Sequence, residues 1–383
     1  MTYLLPALTR KKLLFIASAF SFLLIIPVIL SFDIQNNDKL KVFGTYWEAG
    51  RAALTGENPF EVYPLTWFTG YVTDVNLNPP TMLPLFQFFA QFDPTIGAKS
   101  WATFSILLFL ATCLVLFLEK GNGSQRRQIV WVFLAPAFTD TVKLGQIYIV
   151  LFALAAGAWL LLRSRHQLAS GICIGFIGAL KPNFALWAIF LLLAGYWRPA
   201  VAAGITGLAI LGASILLYGI ESYQQWIAAF STDTHAVKLA VEVSIHGYFS
   251  RLGFGTLGTS LSIALLACTG YWVWRRRPSV LDASRIGLMV AILASPLAWF
   301  HYLLFLIPAL IEKPWTRGMT IAAVTLMVPP IVPMAMMYGP FWLQVLGSSV
   351  YFGAVCTIFV MWLTEIKASM AQRVKSEGTS VFA

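Results

Sequence analysis

The sequence has few charged residues and lacks the motifs of common soluble enzymes. Of its 383 residues, 11% are charged and 58% are hydrophobic, and the mean hydropathy is +0.76. Soluble domains carry about 25% charged residues, so this composition is typical of a polytopic membrane protein. The chain has no P-loop, GxSxG, HExxH or CxxC motif and therefore gives no support to nucleotide hydrolysis or a zinc site. We expect neither a bound metal nor a cofactor.

The lysines and arginines are unevenly distributed between the hydrophobic runs. Alternate gaps between these runs are basic, and the gaps between the basic ones hold most of the acids. Because basic loops stay in the cytoplasm, this pattern predicts cytoplasmic N- and C-termini and acidic outer loops. The net charge of +10 is thus explained by topology, and no nucleic-acid partner is expected. The basic clusters are Arg10–Lys12, Lys120 with Arg126 and Arg127, Arg163 with Arg165, Arg198, Arg275–Arg277 with Arg285, Lys313 with Arg317, and Lys367 with Arg373 and Lys375.

The hydrophobic runs predict an all-α polytopic membrane protein with about 12 transmembrane helices. We expect one transmembrane domain over residues 1–365 and a polar cytoplasmic tail over residues 366–383. Several spans are short, which is tolerated where helices line a cavity inside the protein. The predicted spans are residues 13–32, 98–118, 129–140, 147–162, 167–180, 184–196, 199–219, 256–274, 283–298, 302–311, 318–337 and 346–364.

Two long segments, residues 33–97 and 220–255, are predicted to lie on the outer face. In the first, YWEAGRAALTG has the pattern of an amphipathic helix that ends at Gly56. The following NPPTMLPLFQFFAQF has too few apolar residues to cross a bilayer. It predicts a short re-entrant or interfacial helix.

Ionisable and polar groups from separate gaps converge on the outer face in this topology. Ionisable residues at membrane depth are costly, and each is a functional candidate by default. Cations there suit a phosphate on a lipid carrier, and a nearby carboxylate suits a general base. A lysine that extends to the membrane surface from a helix end is the alternative for Lys181. The candidates are Asp33, Asp38, Lys143, Lys181, His246, Arg251 and His301.

Several motifs, in their order and spacing, resemble glycosyltransferase family 87 over roughly residues 33–310. They are TYWEAGRAALTGENPFEVY, NPPTMLPLF, KLGQIYIV, GALKPNF, SIHGYFSRLGF and SPLAWFHY. The best-known members are polyprenol-phosphate-mannose-dependent α-mannosyltransferases of mycobacterial lipid assembly. The resemblance implies a membrane fold of the GT-C type, a polyprenyl-phosphate sugar donor and inverting transfer without a metal.

The resemblance also assigns roles to individual residues. Gln146 matches the family's GQ, Lys181 its KP, and His301 a histidine at the donor site. Ser244, Gly247 and Arg251 fall on the outer-loop pattern N-x-S-x-x-G-x-x-x-R, in which Glu242 replaces the asparagine.

The family's usual aspartate position, seven residues before the Ala of AGR, is Val42 in this chain. Asp38 and Asp33 lie a few residues earlier, and we favour Asp38 slightly as the general base.

The sequence therefore predicts a membrane glycosyltransferase that moves a sugar, mannose by resemblance, from a polyprenyl phosphate to a hydroxyl of a lipid or glycan acceptor. The expected location is a bacterial inner membrane, with the active site on the periplasmic or extracellular face. Two alternatives stay open: a transporter or flippase of a lipid-linked substrate, and a non-catalytic lipid-phosphate binder of the same fold.

Overall fold

The computed structural model describes residues 40–64, 74–119, 126–232 and 239–380. These residues form seventeen α-helices, three 3-10 helices and one isolated antiparallel bridge. The prediction of an all-α protein is confirmed for this part of the chain. The predicted first span, residues 13–32, and the candidate bases Asp33 and Asp38 lie outside the described residues.

The helices are numbered in chain order. The first nine are α1 (Lys41–Thr55), α2 (Leu83–Ala90), α3 (Pro94–Glu119), α4 (Arg126–Leu134), α5 (Pro136–Leu144), α6 (Tyr148–Arg163), α7 (Gln167–Leu180), α8 (Ala185–Leu193) and α9 (Trp197–Tyr218). The others are α10 (Glu221–Thr232), α11 (Ile245–Arg251), α12 (Gly255–Arg276), α13 (Val280–Leu293), α14 (Ile307–Leu310), α15 (Arg317–Thr325), α16 (Ile331–Met336) and α17 (Phe341–Ser380). The 3-10 helices are Pro80–Met82, Pro182–Phe184 and Phe300–Leu306.

Four of the described helices, α3, α9, α12 and α17, are long and apolar enough to cross a membrane. Each falls close to a span predicted from the hydrophobic runs. Several other apolar helices are shorter, among them α6 and α7. The membrane character of the chain is supported, and the count of about twelve spans stays a prediction.

Prolines divide two of the predicted spans, because proline lacks the backbone N–H that an interior helical position donates. Span 129–140 breaks at Ala135, and Pro136 then starts α5. Span 318–337 breaks between α15 and α16, where Pro329 and Pro330 lie. At its C-terminal end α17 continues to Ser380, although a tail was expected after residue 365. Residues 366–380 contain no proline and are rich in residues that favour helix, such as alanine, methionine and lysine.

The described residues form two compact units. The first contains the residues up to 156 together with 209–232. In it α1 packs on α2, with the rings of Tyr46 and Phe86 stacked 4.4 Å apart. As predicted, α1 ends before Gly56, which adopts the left-handed conformation with φ of 76°. Helix α1 can approach α2 closely because residue 50 is glycine. A Cβ at this position would overlap the backbone carbonyl of Phe86.

The second unit contains residues 157–208 and 239–380. Its core lies along α13, all of whose residues from Ala283 to Leu293 are buried. Helix α8 packs against it, and Gly287 of α13 faces Trp187 and Phe190 of α8. The side-chain amide of Asn183 donates to the carbonyl of Ala291 over 3.0 Å, which fixes the turn before α8 to the same core.

We predict that Gly50→Ala destabilises the protein, whereas Gly212→Ala does not. The added methyl group at residue 50 must push α1 from α2, and such overpacking costs about 1–3 kcal/mol. Gly212 is also helical, but nothing lies within 4 Å of the position of its Cβ. Thermal unfolding of both variants in detergent, followed by tryptophan fluorescence, measures the difference. Equal unfolding temperatures would contradict the close approach.

Candidate active site

In the first unit, the GQ motif forms the turn between α5 and α6. Gly145 has a φ of 73°, a conformation that glycine adopts without steric cost. A Cβ there would also overlap the side chain of Phe43 in α1. The Gly145 carbonyl accepts a hydrogen bond of 2.9 Å from the indole N–H of Trp101. Glycine is therefore required at this turn for two independent reasons, and the turn fixes α1.

Gln146 and Lys143 occupy different environments on the two sides of this turn. Gln146 is buried, and its Oε1 accepts a hydrogen bond of 3.2 Å from the hydroxyl of Tyr46. Lys143 is exposed in the last turn of α5, where its carbonyl accepts from the Leu40 amide over 2.7 Å. A cation there also complements the helix dipole. Gln146 thus lies inside the unit, whereas the Lys143 side chain is at its surface.

Glu48 is a buried carboxylate that the sequence analysis left out of its candidate site. It is 1% exposed, and its Oε2 accepts a hydrogen bond of 2.8 Å from Nε of Arg51. Arg51 also pairs with Glu57, at 3.3 Å. Oε1 of Glu48 has no hydrogen-bond partner within the described structure. An E-x-x-R spacing on an amphipathic helix was the signal that could have identified this pair. The open oxygen can accept a hydrogen bond from a substrate hydroxyl.

Two buried asparagines precede the double proline of the NPP motif in the same unit. The amide of Asn78 donates to Oδ1 of Asn76 over 3.1 Å. Nδ2 of Asn76 and Oδ1 of Asn78 have no partner among the described residues. A buried polar atom without a partner costs about 1–3 kcal/mol. Amide groups of this kind are suited to bind sugar hydroxyls, because they donate and accept hydrogen bonds.

In the second unit, Lys181 ends α7 and precedes Pro182. It leaves the helical conformation, with φ of −141° and ψ of 92°, because proline disfavours helix at the residue before it. The side chain is 7% exposed, and Nζ lies 6.0 Å from the centroid of the Tyr302 ring. Burial lowers the pKa of Lys181 to about 7. The KP motif thus directs a buried amine towards the segment that carries His301.

His301 lies in the 3-10 helix Phe300–Leu306, and it is buried beside the ring of Phe300. A short antiparallel pairing holds the residues just before it. The Val243 amide donates to the Ala298 carbonyl over 2.7 Å, and the Phe300 amide donates to the Val241 carbonyl over 2.8 Å. This pairing places His301 at the same end of the second unit as residues 241–243. Lys181 lies at this end too, because its amine is close to Tyr302, the residue after His301.

Glu242 lies within this pairing and is completely buried. Its Oε1 accepts hydrogen bonds from the amides of Ser244, at 3.0 Å, and Ala298, at 2.8 Å. Its Oε2 faces NH1 of Arg251 at 3.4 Å. Burial raises the pKa of Glu242 to about 7, although the donors around the carboxylate oppose the rise. Burial likewise lowers the pKa of Arg251.

The remaining residues of this motif build the short helix α11. Ser244 caps it by accepting a hydrogen bond of 2.9 Å from the Gly247 amide. His246 contacts the hydroxyls of Thr259, at 3.0 Å, and Ser250, at 3.3 Å. His246 therefore joins α11 to α12, and its ring nitrogens are occupied by protein hydroxyls.

Comparison with known proteins agrees with this arrangement of motifs. Residues 76–296, more than half of the chain, match glycosyltransferase family 87. The chain belongs to glycosyltransferase family 87. The matched residues of this family 87 protein include Gln146, Lys181, Glu242 and Arg251, and they end shortly before His301.

A curated relative is the polyprenol-phosphate-mannose-dependent alpha-(1-2)-phosphatidylinositol pentamannoside mannosyltransferase of Mycobacterium tuberculosis (strain CDC 1551 / Oshkosh). It is 27% identical over 195 residues, which make up 48% of the family 87 chain described here and 43% of the relative. The match thus spans less than half of the relative's length. No solved structure matches the chain.

We predict that Glu242 is protonated below about pH 7 and ionised above it. In the unfolded chain a glutamate titrates near 4.5, its ordinary value. The folded protein therefore binds this proton more tightly than the unfolded chain does. The resulting contribution to the free energy of unfolding is complete below pH 4.5 and is lost as the pH rises to about 7. Infrared difference spectra should show a protonated carboxyl band that disappears through pH 7 and is absent in Glu242→Gln. A Glu242 band that titrates near pH 4.5 would contradict the effect of burial.

Proposed function

We propose that this family 87 protein is a membrane glycosyltransferase that uses a polyprenyl-phosphate sugar. The observation that carries the proposal is the buried Lys181 amine beside Tyr302, in the segment next to His301. A buried ammonium group can bind an anion strongly, because little water is present to screen the attraction between the two charges. Mannose is the proposed sugar, since the curated relative is named as polyprenol-phosphate-mannose-dependent.

In this proposal Lys181 and His301 bind the phosphate that links the sugar to its lipid. Charge-assisted hydrogen bonds to phosphate are about twice as strong as neutral ones. When the glycosidic bond breaks, the leaving phosphate keeps the electron pair as an anion, so no general acid has to protonate it. Lys181 stabilises this developing charge in a water-poor environment, where a fixed cation has its largest effect.

The acceptor hydroxyl is proposed to attack the anomeric carbon while a carboxylate takes its proton. By resemblance, Asp38 or Asp33 is this base. Glu48 is the competing candidate, because it is buried and its Oε1 accepts no hydrogen bond from the described residues. Its other oxygen is already held by Arg51 in an ion pair of 2.8 Å. Asn76 and Asn78 are proposed to bind hydroxyls of the acceptor. A single displacement inverts the anomeric carbon, so a β-linked donor gives an α-linked product.

The membrane location follows from the four long apolar helices and the charge pattern. We propose a bacterial inner membrane, cytoplasmic termini, and transfer on the periplasmic or extracellular face, where lipid-linked sugars meet an outer lipid or glycan acceptor. The basic gaps would then lie on the opposite face from Lys181 and His301. Lipids of the bilayer surround the exposed apolar faces of α9 and α12.

We predict that the purified protein transfers radiolabelled mannose from polyprenyl-phosphate-mannose to a mannose-containing glycolipid. Lys181→Met should raise the donor KM by roughly 10- to 100-fold, the value of a hydrogen bond between charged groups. Among Asp33→Asn, Asp38→Asn and Glu48→Gln, the variant that removes the base should lose kcat. Lys143→Met, at an exposed lysine, is the matched control and should retain the donor KM. A wild type that binds the donor but transfers nothing would favour a transporter or a non-catalytic binder.

We also predict a pH dependence of donor binding that Lys181 sets. Only its protonated form attracts phosphate, and its pKa without donor is about 7. Donor affinity should therefore be highest below pH 7 and fall about tenfold per pH unit above it. In Lys181→Arg the side chain stays charged, so this decline should disappear. Donor titrations by isothermal calorimetry over this range test the prediction. A decline that persists in Lys181→Arg would assign it to another group.

A further inference from the structure

We infer that Glu242 and Arg251 form an internal clamp that positions the segment carrying His301, and that Arg251 acts through Glu242 instead of binding the donor phosphate. The inference rests on the proposed function. It assigns Glu242 a positioning role, and it replaces the phosphate-binding role that the charge and predicted topology suggest for Arg251. The evidence is the set of contacts that the two side chains make.

The carboxylate of Glu242 joins three segments of the second unit. One oxygen accepts from its own loop at Ser244 and from Ala298, three residues before His301. The other oxygen faces the guanidinium of Arg251 at the end of α11. Because the carboxylate is fully buried, each of these bonds forms in a low-dielectric environment and strongly constrains its partner. Residues 298–300 are therefore held both by the backbone pairing and by this side chain.

Two of the three guanidinium nitrogens of Arg251, Nε and NH1, are directed at groups of the protein. Nε donates to the hydroxyl of Ser348 over 3.1 Å, and NH1 donates to the Leu239 carbonyl over 3.0 Å. The side chain has no exposed surface, so a phosphate would have to displace these bonds to reach it. Removing Arg251 would leave Glu242 buried beside fewer donors. These contacts indicate a structural partner of Glu242 and argue against a phosphate ligand.

The space for the Glu242 carboxylate is created by Gly247. A Cβ at residue 247 would overlap Oε2 of Glu242. The glycine of the S-x-x-G motif is thus required by the space that the carboxylate occupies. Where the family pattern has asparagine, the side chain is one carbon shorter and neutral. Glutamate can reach the Ala298 amide and can also neutralise Arg251.

The same unit offers a matched control for the loss of an arginine–carboxylate pair. Arg285 is buried between the rings of Trp159 and Trp362 and contacts Asp282 over 3.1 Å. This pair lies at the start of α13, whereas residues 298–301 follow the opposite end of that helix. Asp282→Asn should therefore change stability without changing the segment of His301.

A double-mutant cycle of Glu242→Gln, Arg251→Met and the double variant tests the clamp. Each single variant should lower kcat/KM for the donor by roughly 10- to 100-fold, because His301 is displaced from the donor phosphate. The double variant should be no worse than the poorer single variant, since the two residues act as one unit. A loss of kcat/KM in Arg251→Met that adds fully to the loss in Glu242→Gln would overturn the inference, because the two residues would then act independently.

Gly247→Ala provides a second test that removes no charge. The new methyl group must displace the Glu242 carboxylate, so the loss of kcat/KM should be reproduced. Hydrogen exchange of the amides of Ala298 and Phe300 should accelerate in Gly247→Ala and Glu242→Gln but not in Asp282→Asn. Unchanged exchange in the first two variants would overturn the clamp. This measurement needs no donor, so it still decides the inference if the wild type transfers no sugar and the proposed function fails.

Discussion

The hydrogen bonds between the Glu242 carboxylate and the amides of Ser244 and Ala298 organise the candidate donor site. They join the loop before α11 to the segment that contains His301. Without them the short pairing of residues 241–243 with 298–300 would depend on two backbone hydrogen bonds alone. The carboxylate is removed from the solvent, so these amides and Arg251 are the partners that make its burial possible.

The same constraint explains the character of the two candidate regions. The proposed donor carries a charged phosphate, which requires a cation in the site that binds it. Arg251 and Arg285 are paired with carboxylates. Lys181 lies against an aromatic ring, and burial lowers its pKa. In the first unit, the open oxygen of Glu48 and the two asparagines offer the polar groups that an acceptor requires.

Much of the helical framework could be predicted from hydrophobic periodicity and from glycine and proline. The end of α1 at Gly56 and the bounds of α7 follow from such local signals. The segment 302–311 could not be predicted in detail, because its 3-10 geometry depends on tertiary packing around His301. The apolar composition of residues 318–337 predicts one continuous span, but the helix is interrupted around Pro329 and Pro330.

The candidate site was predictable in part. Lys181, His301 and Arg251 were recognised as unusual residues, and the structure brings them to one end of the second unit. The pairing of Glu242 with Arg251 was not recognised, because it depends on the fold of α11 and on the space left by Gly247. Asp33 and Asp38 stay predictions, and Glu48 has joined them as a candidate base only because its burial is visible in three dimensions.

The most direct test of the central claim is photolabelling of the purified protein with a polyprenyl-phosphate-mannose that carries a diazirine next to the phosphate. The account predicts adducts, located by peptide mass spectrometry, at residues 181–184 and 300–306, and their loss when unlabelled donor competes. Adducts confined to the basic residues 275–285, with residues 181–184 and 300–306 unlabelled, would contradict the assignment of the donor phosphate to Lys181 and His301.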